Sequence, residues 1–249
     1  MKVLIRYNFF ILLILLTNLF GVTLQSIYDS ATPSNGFDKY LILEKNVVYT
    51  GEIGIYEGSV FIEGNGAIID LNEGLGIWIY GEENTTVSLS IEYVTIINGG
   101  YNGLTFNGFS FGEITNCNFI SNQFGIQIMD YSDISIKNCN FISNSEYGFA
   151  VRGTTATYSI NYTNFWNNSI GNCGYNENCW GIAWAQLEPE GIGLIEFNPL
   201  FNDEINWDFS YEEFSPCIDA GDPSQQDPDG TIRDIGAISY TNNNISDCN

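Results

Sequence analysis

Ile114–Asn122 reads "ITNCNFISN" and Ile136–Asn144 reads "IKNCNFISN", nearly the same phrase 22 residues later. Two more segments align with them without gaps: Ile91–Gly99, "IEYVTIING", and Ile160–Asn168, "INYTNFWNN". The four starts are spaced 23, 22 and 24 residues apart. The first column holds Ile91, Ile114, Ile136 and Ile160, and the sixth holds Ile96, Phe119, Phe141 and Phe165. The seventh is Ile97, Ile120, Ile142 and Trp166, and between the two aromatic-rich apolar columns and Cys117/Cys139 run Thr95, Asn118, Asn140 and Asn164. Apolar and polar residues alternating over so few positions mark a strand.

A period near 22 leaves room for about three short strands and three turns per repeat. No such unit buries its apolar face alone, so each must stack on the next. Second strands complete the pattern at "GLTF" (Gly103), "GIQI" (Gly125) and "GFAV" (Gly148), with "GIWI" (Gly76) one coil earlier. The sequence therefore predicts a parallel β-helix whose coils sit about 4.8 Å apart, so that equivalent residues touch their own copies. Phe119 is expected to stack on Phe141, and Asn122 to form an amide ladder with Asn144 at a turn. Cys117 and Cys139 share one column and are expected inward as a free buried pair, because a bridge between in-register neighbours would be strained.

The start of the chain has a different character. Lys2 and Arg6 precede the apolar run Phe9–Phe20, which reads as a secretory signal and is short for a membrane span. Residues 1–26 are accordingly read as a signal peptide, so that the mature chain carries no membrane span and is secreted or held at the cell surface. The net charge is -23, and cleavage would remove two of 7 bases and none of 30 acids. Such a surface excludes nucleic acid as a partner and repels anionic membranes and polyuronates. In an oxidising compartment, Cys173 and Cys179 bracket a short polar loop and are expected to form a disulfide. Pairing of Cys217 and Cys248 stays open, since six Cys allow about 15 connectivities.

The repeat "I-x-N-C-x-F-x-x-N…G-I-x-I" resembles that of the right-handed parallel β-helix proteins of the pectin-lyase-like superfamily. "FIEGNGAIIDL" (Phe61–Leu71) looks like an early coil of such a protein. "FNPLF" (Phe197–Phe201), "SPCIDAGDP" (Ser215–Pro223) and "DPDGTIRDIGA" (Asp227–Ala237) match a closing segment common among exported bacterial members. The resemblance implies an all-β, single-stranded right-handed solenoid of roughly six to seven coils. The β-helix with its N-terminal cap is placed at 27–196, a C-terminal cap over the open end at 197–240, and a polar tail at 241–249.

The resemblance is weak for activity, because the fold hosts many functions. The chain has no His, which excludes Ser-His-Asp and Cys-His catalysis and His-ligated zinc. The clustered-Asp, His-Gly and Arg-x-Lys motifs of the polygalacturonase branch are absent. For a calcium-assisted lyase, the coils supply only Lys137 and Arg152 as bases, with Asp130 and Asp133 nearby in "MDYSD". The simpler expectation is an ion pair for each base, with Glu113 diagonal to Lys137. Asp222, Asp227, Asp229 and Asp234 form the densest acidic cluster and a weak calcium candidate that lacks the spacing of a calcium loop. Trp78 is expected to face outward in the column of Thr105, Gln127 and Ala150; with Gln127, Trp180 and Trp184 it is the candidate ligand-binding set, flat rings suiting sugar faces.

The favoured expectation is an exported, non-catalytic, monomeric β-helix presenting a rigid surface to extracellular polysaccharide or cell-surface components. The alternatives are a calcium-assisted polysaccharide lyase and a purely structural envelope component. The residues expected to carry function are those in columns where the copies differ: Trp78, Gln127, Lys137 and Arg152.

Overall fold

The computed structural model describes residues 22–178 and 183–241. Its architecture is a parallel β-solenoid of about seven turns with almost no helix. Each coil contributes a strand to three faces. The first face comprises Phe37–Ile42, the leading parts of Ser59–Asp70 and Val87–Ile97, then Ser110–Thr115, Asp133–Lys137 and Thr157–Asn161. The second holds Val48–Thr50, the trailing parts of the same two long strands, Asn118–Ile120, Asn140–Ile142 and Asn164–Trp166. The third holds Ile53–Ile55, Ile77–Gly81, Asn102–Gly108, Phe124–Met129, Tyr147–Arg152 and Gly171–Asn176.

The register follows the columns of the sequence. Ile91 pairs with Ile114, Ile114 with Ile136 and Ile136 with Ile160. Ile96, Phe119, Phe141 and Phe165 are likewise in line. The three rings stack with centroids 5.1 Å apart and planes tilted by 13° and 11°. All four inward residues of that column are buried, so the stack adds aromatic contact to ordinary apolar burial.

Turns are made by residues that tolerate a left-handed backbone. Between the first and second faces Asn116 and Asn138 have φ of 49° and 53°, with Tyr93 and Tyr162 in the same place on neighbouring coils. Asparagine adopts this region more readily than other non-glycine residues. At the next corner the amide ladder runs as expected: Asn122 Nδ2 donates to Asn144 Oδ1 at 3.3 Å, and Asn144 Nδ2 to Asn168 Oδ1 at 2.8 Å. The same carbonyl oxygens accept backbone N–H groups of the preceding coil, Gly99 at 2.8 Å from Asn122 among them. Cys117 and Cys139 are buried with free thiols. Each sulfur donates to backbone carbonyls, that of Thr115 for Cys117 and of Lys137 for Cys139, both at 3.2 Å. Burial pushes the Cys117 thiol well above its ordinary pKa.

The ends differ from the sequence expectation in two respects. Val22–Thr23 already pairs with Val48–Thr50, and the helix that follows, Leu24–Ser30, puts Leu24 fully into the core. The fold therefore begins before the boundary drawn at residue 26. Thr23 caps this helix by accepting the N–H of Ser26 at 3.2 Å. Among the described residues no helix is long and apolar enough to cross a membrane.

The second difference concerns the segment from Phe197, expected over the open end. The end strands are instead met by Ala185–Leu187, antiparallel to Gly171–Asn176, and by a bridge from Ile195 to Asn164. The segment itself runs down the second face. Asn164 Nδ2 bonds the Phe197 carbonyl, the Gly236 N–H bonds the Asn138 carbonyl, and the Ala237 N–H reaches Asn118 Oδ1. Ile238 then lies beside Gly66, four coils back from Asn164. The reason is the outward column Ile97, Ile120 and Ile142, which the segment covers with Phe201, Phe209, Tyr211, Cys217 and Ile235 to form a second core. This covering buries the polar column as well. Thr95, Asn118, Asn140 and Asn164 are all fully buried and bond to one another at 2.9–3.1 Å. Asn140 also donates to the Tyr211 hydroxyl at 2.8 Å.

Candidate functional site

Two faces remain to carry function. On the third, Trp78 lies in the expected column, in register with Thr105, Gln127, Ala150 and Gly174. Trp78 is half-buried, while Thr105, Gln127 and Ala150 are fully buried, so this column opens outward only near its start. Trp184 packs across the later coils, 5.2 Å from Phe124 and 5.7 Å from Tyr147. The Arg152 guanidinium lies 4.6 Å from the Trp184 ring and within 3.5 Å of the Tyr101 hydroxyl. Both amide atoms of Gln127 and the carbonyl oxygens of Asn102 and Asn107 are buried without a hydrogen-bond partner. Trp180 and Cys179 lie outside the described residues, as does Cys248, and with Cys179 goes the expected bridge to Cys173. The Cys173 thiol is buried, which raises its pKa to about 12.

The bases and acids proposed for a lyase fall in two places: Asp130 follows Met129, the strand partner of Arg152, while Asp133 and Lys137 are on the first face. Arg152 is on the third face; Asp130 turns the corner toward the first, its carbonyl accepting the Thr155 hydroxyl. Asp133 is on the first face, where its carboxylate accepts the Thr157 hydroxyl at 2.7 Å. Lys137 is also on the first face, and its partner is Asp222 of the covering segment, at 2.9 Å, rather than Glu113. With Ser224 also bonding it, that contact holds the Asp222 carboxyl down at about 2.

The four Asp proposed for calcium are likewise spent on the covering segment. Among the described residues no three acidic, Cys or His side chains form a group that could hold a metal ion. Asp229 accepts the N–H and hydroxyl of Thr231. Asp227 accepts the Asp234 N–H at 2.7 Å and the Ser239 hydroxyl at 2.7 Å. Asp234 accepts the N–H groups of Asp219 and Tyr240. Burial, with Asp227 close by, lifts the Asp234 carboxyl to about 7.

A concavity with mixed chemistry lies on the first face, and sequence reasoning did not single it out. A groove of about 560 Å³ runs across the coils. It is lined by the hydroxyl residues Ser88, Ser90, Ser135, Thr157 and Ser159. Phe37 and Phe111 also line it, Phe111 43% exposed and between Ser88 and Asp133 in one column, together with Glu113 and Asp133. Phe37 is braced by Phe61 at 5.0 Å, itself stacked on Tyr40 at 4.9 Å. The signal was present in the outward columns Ser88–Phe111–Asp133–Thr157 and Ser90–Glu113–Ser135–Ser159, which differ from coil to coil. A second open concavity, about 1020 Å³ and lined by Asp70, Glu73, Asn98 and Gln123, follows the corner after the second face and offers no apolar wall.

A family model described as a right handed beta helix region matches residues 18–170. The chain belongs to the right-handed β-helix family. The match runs through Asn164–Trp166 and stops before Gly171–Asn176, Ala185–Leu187 and the covering segment, so the groove falls within the family's common frame. A search of curated proteins gives no match to the chain. The family fixes the β-helix as a scaffold; chemistry has to be read from the side chains on it.

Proposed function

We propose that this β-helix is an exported, non-catalytic protein that binds extracellular glycan in the groove of its first face. The observation that carries the reading is the groove's composition: aromatic rings for the apolar faces of a sugar ring, a row of hydroxyls, and carboxylates that accept from sugar hydroxyls. The strands that hold these side chains are paired on both sides except the last, Thr157–Asn161, which pairs on one side, so most of the surface is pre-organised and loses little entropy on binding. The half-buried Trp78 on the third face supports the same reading as a secondary contact. For a lyase, a free base, two acids and an aromatic should converge; Lys137 is held by Asp222, and Arg152 lies on Trp184 on another face.

The test is calorimetric titration of the full-length protein with a panel of oligosaccharides. Phe111→Ala should weaken binding by about tenfold or more, the loss expected for one stacked ring. Equal binding by wild type and Phe111→Ala, or weakening by Trp78→Ala instead, would move the site off the groove. Ultraviolet-absorbing unsaturated product appearing during the titration would overturn the non-catalytic reading.

A further inference from the structure

We propose that the groove selects glycans bearing free amines, that is, deacetylated hexosamine chains, with Glu113 receiving the sugar ammonium. The inference rests on the glycan reading above and adds the substrate class. Its basis is a charge left unbalanced by the fold. On sequence, Lys137 is the natural counter-ion of Glu113, since Thr115 pairs with Lys137 and Glu113 with Ser135 on adjacent strands. The covering segment draws Lys137 the other way through Asp222, at 2.9 Å. Among the described residues Glu113 is left with no hydrogen-bond or ion-pair partner. It is exposed and lines the groove.

Among the described residues no other base lies in the groove to compensate. The groove is lined by no Lys or Arg. Lys39 sits over the Tyr28 ring, Arg152 over Trp184 and Arg233 over Tyr93. Asp133, one coil on and one column across from Glu113, adds a second carboxylate with only one oxygen engaged, by Thr157. An anionic sugar finds repulsion here, and an acetylated one finds no use for the carboxylates beyond hydroxyl contacts. An ammonium finds a charge-assisted acceptor beside an aromatic face, the combination that favours a cation most. Adjacent coils are about 4.8 Å apart, so a pyranose lying on Phe111 has both carboxylates within reach of its substituents.

The experiment titrates full-length protein with three oligomers of matched length: glucosamine, N-acetylglucosamine and galacturonate. The expected result is about tenfold tighter binding of the glucosamine oligomer than of its acetylated counterpart, and none of galacturonate. Glu113→Gln should bring the preference down to about twofold or less, weakening the glucosamine oligomer far more than its acetylated counterpart. Glu204→Gln, a one-charge change on the covering segment, should leave the preference intact. Equal affinity for the amine and acetylated oligomers would overturn this proposal and keep the glycan reading. A preference that survives Glu113→Gln, or falls as much with Glu204→Gln, would assign it to the overall acidity and overturn the proposal too. Binding of none of the three, with none in the wider panel, would overturn both.

Discussion

The first and second faces of the solenoid begin from the same alternation of inward apolar and outward polar residues, and they end in opposite states. On the first face the outward columns stay open and hold Ser90, Glu113 and Ser135 in reach of solvent. On the second, Thr95, Asn118 and Asn140 are fully buried beneath the segment that follows Phe197. Periodicity decides which side of a strand points away from the solenoid interior; whether that side is wet depends on what else the chain lays over it. The clue on the second face was the neighbouring column Ile97, Ile120 and Ile142, apolar and outward, which demanded a cover.

The sharpest way to break this comparison is a charge in the cover's path. Ile120→Asp places an unpaired carboxylate in the second core and should cost about 3–5 kcal/mol in urea unfolding, detaching the segment. Next, Asn140→Ala removes a side chain bonded to Asn118, Asn164 and Tyr211. Its expected cost is about 2–3 kcal/mol, because the partners left behind are buried and unsatisfied.

A pH series probes the same cover. The fold favours protonated Asp234, whose carboxyl is raised from 3.8 to about 7. Its contribution is therefore complete below the unfolded value and is lost as pH rises through about 7. Asp222, lowered to about 2, works in the opposite sense: its contribution is present above the unfolded value and is lost as pH falls through about 2. Urea midpoints should consequently decline from about pH 4 to about pH 8, and Asp234→Asn should flatten that decline. A wild-type profile with no decline would deny the buried carboxyl its role. The smallest effect belongs to the open face, where Ser135→Ala should stay within about 0.5 kcal/mol. A cost near that of Asn140→Ala would mean that the two faces do not differ as described.

The fold was legible in the sequence because each residue of a solenoid rests on its own copy. Phe119 and Phe141, Asn122 and Asn144, Cys117 and Cys139 all declare their contacts by repeating. The groove was harder to read, since it is made where repetition fails. Ser88, Phe111 and Asp133 share a column but no chemistry, and nothing in their spacing tells that a concavity lies there. Lys137 shows the same limit from the other side. Its neighbour in the coil pattern is Glu113, yet its partner is Asp222, 85 residues away in sequence and outside the repeat. Contacts between the periodic and the aperiodic parts of a chain leave no periodic trace.

The covering segment also works as a ruler. It is anchored near Asn164 at one end and beside Gly66 at the other, with fixed attachments to Asn140, Asn138 and Asn118 between. Solenoids usually lengthen by duplicating a coil, because each new copy finds the same neighbours. Here a duplicated coil would leave the segment one step short, parting Asp222 from Lys137 or Ile238 from its seat. The molecule's length is therefore set by a part of the chain that contains no repeat at all.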